Sequence, residues 1–85
     1  MITVRCLGHI QTSVGSGEVS LEGPELEASE IVERLRTLSG KEDPGFTRFN
    51  TLVMVGSGEA YVTASVHRMV KDGEQVVLIP FSHGG

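Results

Sequence analysis

Ala28, Ile31, Val32, Leu35 and Leu38 stand at i, i+3, i+4, i+7 and i+10, with Glu30, Glu33, Arg34 and Arg36 turned elsewhere. That is the apolar stripe of an amphipathic helix of about three turns. A helix with one apolar face has to bury it against another layer, and 85 residues allow one modest core and no second folding unit beside it. The rest of the chain must therefore supply the cover, and it reads as strands.

Ile2, Val4 and Cys6 alternate with Thr3 and Arg5, the two-residue period of a half-buried strand, in which Cys6 is a small core residue. Residues 8–17 are polar and studded with glycine, which predicts a turn or short loop feeding a second strand through Val19 and Leu21. Gly23-Pro24 breaks that strand before the helix, and Gly40 is placed to end the helix ahead of a Lys41-Glu42-Asp43-Pro44-Gly45 loop. Phe46 and Phe49, three apart, are expected on one short helical turn that fills the core from above. Thr51-Leu52-Val53-Met54-Val55, the turn residues Gly56-Ser57-Gly58 and Ala60-Tyr61-Val62 suggest a hairpin. A tight turn at Lys71-Asp72-Gly73-Glu74 leads into Gln75-Val76-Val77-Leu78-Ile79, apolar enough for a central strand and stopped by Pro80. The expected fold is α+β: a mixed sheet of four to five strands with one main helix on one face, the two terminal strands paired in parallel at its centre.

Charge and cysteine content exclude several functions. Six of the eleven acidic residues (Glu18, Glu22, Glu25, Glu27, Glu30 and Glu33) fall between positions 18 and 33, a surface that repels phosphate backbones, so no direct binding of nucleic acid is expected. A lone cysteine makes no internal disulfide, and His9, His67 and His83 lack the spacing of a metal site. No apolar run approaches the roughly 20 residues of a membrane span, and no signal peptide is visible, which reads as cytoplasmic.

Catalytic constellations are equally scarce. Gly15-Ser16-Gly17 lacks the strand-to-helix setting and the lysine of a phosphate loop; Ser13, Ser57 and Ser82 have no local base; Glu42 and Asp43 sit in a loop where solvation accounts for them. What remains is the end of the sequence, Gly84-Gly85. No fold needs two glycines there. Without a Cβ, a Gly-Gly end can enter a narrow channel and offer its carboxylate to attack. That is the requirement on an acyl carrier, although a tail that merely ends in glycine has the same composition.

The stretch Met69-Val70-Lys71-Asp72-Gly73-Glu74-Gln75-Val76-Val77-Leu78-Ile79-Pro80-Phe81-Ser82-His83-Gly84-Gly85 resembles the closing signature of the ubiquitin-like sulfur carriers of the MoaD/ThiS type, with a K-D-G-D/E turn, a last strand and a proline-containing tail ending in Gly-Gly. The first strand, the helix around Glu30-Ile31-Val32-Glu33-Arg34-Leu35 and the hairpin from Leu52 to Val62 follow the order and spacing of the MoaD branch, the small subunits of molybdopterin synthase. The sequence departs from that pattern at Val55-Gly56-Ser57-Gly58, where V-N-G is common, at Glu27, where a threonine cap is common, and in having a single proline in its tail.

The resemblance implies a β-grasp domain over residues 1–80 and a flexible tail over residues 81–85. It implies that Gly85 is adenylated by an activating enzyme of the MoeB/ThiF type using ATP and is then converted to a thiocarboxylate, with Gly84 giving access. Pro80, Phe81, Ser82 and His83, with the sheet face, would dock the partners, among them the large subunit of molybdopterin synthase. No cofactor is bound in this scheme, and the carrier supplies no side-chain catalyst. The His-Gly-Gly ending also resembles ubiquitin-related modifiers, which leaves attachment to lysines through Gly85, or sulfur donation to tRNA, as the alternative. A non-covalent interaction domain is the third.

Overall fold

The computed structural model describes residues 1–81. Strand β1 (Ile2–Cys6) turns its alternating Ile2, Val4 and Cys6 into the core, as their period requires. It is followed by a short helix α1 (Gly8–Val14), strand β2 (Glu18–Leu21), strand β3 (Glu25–Glu27) and helix α2 (Ala28–Leu38). Strands β4 (Thr51–Gly56), β5 (Tyr61–Thr63), β6 (Met69–Lys71) and β7 (Gln75–Pro80) complete the described chain. Five strands form one sheet in the order β2-β1-β7-β4-β5, and β3 pairs with β6 apart from it. β1 runs parallel to β7, with Thr3 opposite Gln75 and Cys6 opposite Leu78; the other pairs are antiparallel. The expected mixed sheet with its central parallel pair is thus present, in the strand order of a β-grasp.

Helix α2 begins at Ala28 behind Glu27, whose carboxylate makes no capping bond to the helix backbone and instead accepts the Ser29 Oγ hydroxyl. Ala28, Ile31, Val32 and Leu35 are buried against Ile2, Val4, Val55, Val76 and Leu78 from the sheet. Leu38, the last residue of the helix, departs from the stripe at 54% exposed.

Residues 8–14, expected as loop, form α1. Seven residues are too few to hold a helix alone, and this one is held from outside. Ile10 is buried, Val14 packs on the core, Ser13 Oγ donates to the Pro44 carbonyl, and His9 Nε2 lies 3.2 Å from the Gly45 carbonyl oxygen. The β3–β6 pair was also beyond the sequence reading, since each strand contributes one buried side chain, Leu26 opposite Val70. Of the two phenylalanines expected in the core, Phe46 is there, 1% exposed, whereas Phe49 is 72% exposed on a turn rather than a helix.

The turn before β7 is fastened by Glu74. Its carboxylate accepts the Lys71 N–H at 2.8 Å and the Arg68 guanidinium at 3.1 Å, while its own N–H donates to the Lys71 carbonyl at 3.0 Å. The Lys71 N–H, followed by Arg68, holds this carboxyl below its ordinary value of 4.5. A carboxyl lowered in the fold contributes stability above its ordinary value and loses it as pH falls through the folded value.

Two measurements follow. In denaturant unfolding, Leu35→Ala is expected to cost about 2–5 kcal/mol, and Leu38→Ala to stay within about 0.5 kcal/mol. Glu74→Gln should be less stable than the parent at neutral pH, and the gap should close as pH falls from about 4.5 downward. A gap that stays constant on acidification would show that the charge of Glu74 adds nothing to the turn's stability.

Candidate functional site

β7 lies between β1 and β4, so the chain leaves the body from the centre of the sheet. Two contacts fix that exit. In a strand, successive backbone groups point to opposite sides. Phe81 donates its N–H to the Asn50 carbonyl at 3.1 Å on the β4 side. Pro80 therefore faces the β1 side, where β1 has already ended and Leu7 has donated its N–H to the Leu78 carbonyl at 3.1 Å. No ladder bond is lost to the proline there. Its ring lies against Gly8, where a Cβ would come 2.9 Å from Pro80 Cγ, and where φ is +57°. Gly8 is thus required twice, for the left-handed backbone that opens α1 and for the room that Pro80 occupies.

The sheet has one covered face and one open face. Both helices deliver their buried residues to the same core cluster, so among the described residues no helix covers the other side. By register, that side carries Val77 and Ile79 of β7, Leu52 and Met54 of β4, and Arg5 of β1. The four apolar residues are half-buried by one another and Arg5 is exposed, giving an apolar strip beside a cation that leads to the exit of β7. Tyr61 lies at the far end of the strip, its Oη donating to Gln75 Oε1 at 2.7 Å. Gly56 stands between these two in the register, and a Cβ on it would meet the Ala60 carbonyl oxygen at 2.1 Å and Tyr61 Cδ1 at 2.9 Å. The departure from V-N-G at this hairpin therefore has a steric reason.

Of the residues expected to dock partners, Pro80 is half-buried in β7 and Phe81 is 41% exposed at the exit. Ser82, His83, Gly84 and Gly85, with the flexible tail expected over residues 81–85, lie outside the described residues except for Phe81. Elsewhere the polar side chains make local contacts. Asp43 Oδ1 accepts the Gly45 N–H at 3.2 Å, a loop-closing bond, and His67 Nδ1 lies 3.9 Å from Glu27 Oε2. Burial pushes the Cys6 thiol up, away from reactivity. No group of three metal-ligating side chains occurs among the described residues, and none of their helices is long and apolar enough to cross a membrane. A groove of about 360 Å³ runs between Leu21 and Leu38, but its rim is occupied by the Glu30–Arg34 ion pair at 2.9 Å.

Comparison with known proteins gives likeness in structure only. No family model matches the sequence, and no curated protein matches it. Small archaeal modifier protein 1 from Haloferax volcanii superposes with a TM-score of 0.68 at 15% identity, over 95% of this chain and 97% of that one. A Pyrococcus furiosus protein described as subunit 1 of a molybdopterin converting factor gives 0.63 at 18% identity, over 95% and 97%. CysO, in its complex with BexX from Amycolatopsis orientalis, gives 0.62 at 21% identity, over all of both chains. These likenesses span whole chains, and the fold is the β-grasp that the sequence led us to expect.

Gly8→Ala tests the exit. A Cβ in the left-handed region costs about 1–2 kcal/mol, and here it also displaces Pro80. The variant should unfold at lower denaturant, and the Phe81 amide should exchange with solvent faster than in the parent. Unchanged protection at Phe81 would mean that Gly8 does not position it.

Proposed function

We propose that this chain is a cytoplasmic sulfur carrier whose Gly85 carboxylate is the reacting group. The observation that carries the reading is the exit: a Gly-Gly ending that follows a central strand held on both sides, next to an open apolar strip. The structural likeness to a molybdopterin converting factor subunit supports synthesis of molybdopterin as the pathway, with a large synthase subunit as acceptor. The likeness to CysO in a complex supports action through a partner protein.

The chemistry is supplied by others. A carboxylate oxygen of Gly85 attacks the α-phosphorus of ATP in a MoeB/ThiF-type enzyme, and pyrophosphate leaves. A sulfide equivalent then attacks the acyl adenylate carbon, AMP leaves with the former carboxylate oxygen, and a thiocarboxylate remains. Glycine at the last two positions keeps both attacks uncrowded. The body contributes aim: with Phe81 fixed to Asn50, the carboxylate is presented from the end of the central strand of the sheet. ATP is a substrate of the partner, and the carrier itself needs no cofactor.

Likeness to an archaeal modifier protein supports a second reading, in which the same activated Gly85 is attached to lysines of other proteins. Both readings begin with adenylation.

Intact mass spectrometry of the protein purified from its own cells should show a fraction in which sulfur replaces one oxygen at Gly85. Deleting Gly85 should abolish that fraction without changing the thermal midpoint. Conjugates that vanish with Gly84-Gly85, in the absence of any thiocarboxylate, would move the assignment to the modifier.

A further inference from the structure

The position of the exit restricts where the activating enzyme can stand, given the reading that Gly85 carries the reacting carboxylate. Gly85 is four residues beyond Phe81, and four residues of chain reach at most about 14 Å. An enzyme that closes on Gly85 must therefore bring its surface down beside Phe81, onto the segment whose Asn50 carbonyl holds Phe81 at 3.1 Å.

That segment is the turn over residues 47–50, and it is fastened within itself. The Asn50 N–H donates to the Thr47 carbonyl at 3.2 Å, the Thr47 N–H to Asn50 Oδ1 at 2.8 Å, and the Phe49 N–H to Thr47 Oγ1 at 3.1 Å. Thr51 Oγ1 adds a fourth bond to Asn50 Oδ1 at 3.3 Å. A turn held this way loses little freedom when a partner covers it. What it displays is Phe49, more exposed than any other large hydrophobic side chain among the described residues, with Arg48 Cζ 4.9 Å from the ring centroid. Phe49 serves no packing purpose, since Phe46 is the aromatic that fills the core beneath this loop. An ordered aromatic beside an arginine is the composition of a binding hot spot. The turn also leads directly into β4, whose Leu52 faces Ile79 on the open strip.

We infer that Arg48 and Phe49 form the anchor by which the adenylating enzyme grips this carrier. Phe49 enters an apolar recess beside the channel that receives the tail, and Arg48 meets an acidic group on the rim of that recess. The strip formed by Leu52, Met54, Val77 and Ile79 continues the contact away from the exit. The anchor binds and orients; it takes no part in the bond changes at Gly85.

The test is ATP–pyrophosphate exchange by the MoeB/ThiF-type enzyme of the same genome, with the full chain as varied substrate. Phe49→Ala should keep the parent's thermal midpoint, raise KM for the carrier at least about tenfold and leave kcat within about twofold. Arg48→Glu should raise KM as well, whereas Leu38→Ala, on the helix layer behind the sheet, should change neither constant. An exchange-competent parent whose Phe49→Ala variant keeps the parental KM overturns the anchor and leaves the carrier reading standing. A parent that supports no exchange removes the carrier reading, and the anchor with it.

Discussion

The parallel pairing of β1 with β7 joins the two most distant strands of the chain, with four residue pairs in register from Thr3 opposite Gln75 to Cys6 opposite Leu78. Everything else is arranged around it. β2 and β4 add on either side by antiparallel pairing, β5 extends β4, and the buried residues of β1, β4 and β7 form the floor on which α2 lies. Because a parallel pair cannot be joined by a tight turn, the whole intervening chain becomes its connection, and that connection supplies the cover for the core. Contacts of such sequence separation are slow to form, and in the folded chain the Glu74-fastened turn leads directly into β7.

The same pairing decides where the chain end goes. A final strand at the edge of a sheet would release its tail with one neighbour; β7 has two, and its last residues are held by Gly8 on one side and Asn50 on the other. Charge is distributed consistently with this exit. None of the six acidic residues between positions 18 and 33 lies on β4, β5 or β7; they stand on β2, β3, α2 and the turn between β2 and β3, while Arg5 lies on the open face and Arg48 on the turn that holds Phe81. For the carrier role proposed above, acidic groups placed away from the exit would ease the approach of a nucleotide-using enzyme.

Sequence and structure agree where a side-chain pattern is long enough to be self-consistent. The stripe of α2 and the alternation of β1 are legible in the sequence because each repeats its period over several residues, and every repeat but Leu38 is buried; β4 is legible as an apolar run, of which Thr51, Val53 and Val55 are buried. The misreadings share one cause. α1, β3 and β6 are too short for a period to show, and each exists through contacts with residues distant in sequence: Pro44 and Gly45 for α1, and β3 and β6 for one another. Phe46 and Phe49 are alike in composition and spacing, so nothing local tells the core residue from the displayed one. Only the hydrogen bonds of the turn between Thr47 and Asn50 separate them.

By itself the sequence determined the layers, a helix over a mixed sheet with both terminal strands inside it, and it singled out Gly84-Gly85 as the feature no fold requires. Both are one-dimensional facts, an apolar period and a composition. Tertiary structure alone decided the geometry around the exit: Pro80 seated on Gly8, Phe81 bonded to Asn50, an apolar strip left open beside them and Phe49 exposed on the turn that leads into β4. The reason is that these groups come from three separate segments, and a hydrogen bond or a van der Waals contact between segments has no signature in either of them until the parallel pairing of β1 with β7 brings them together.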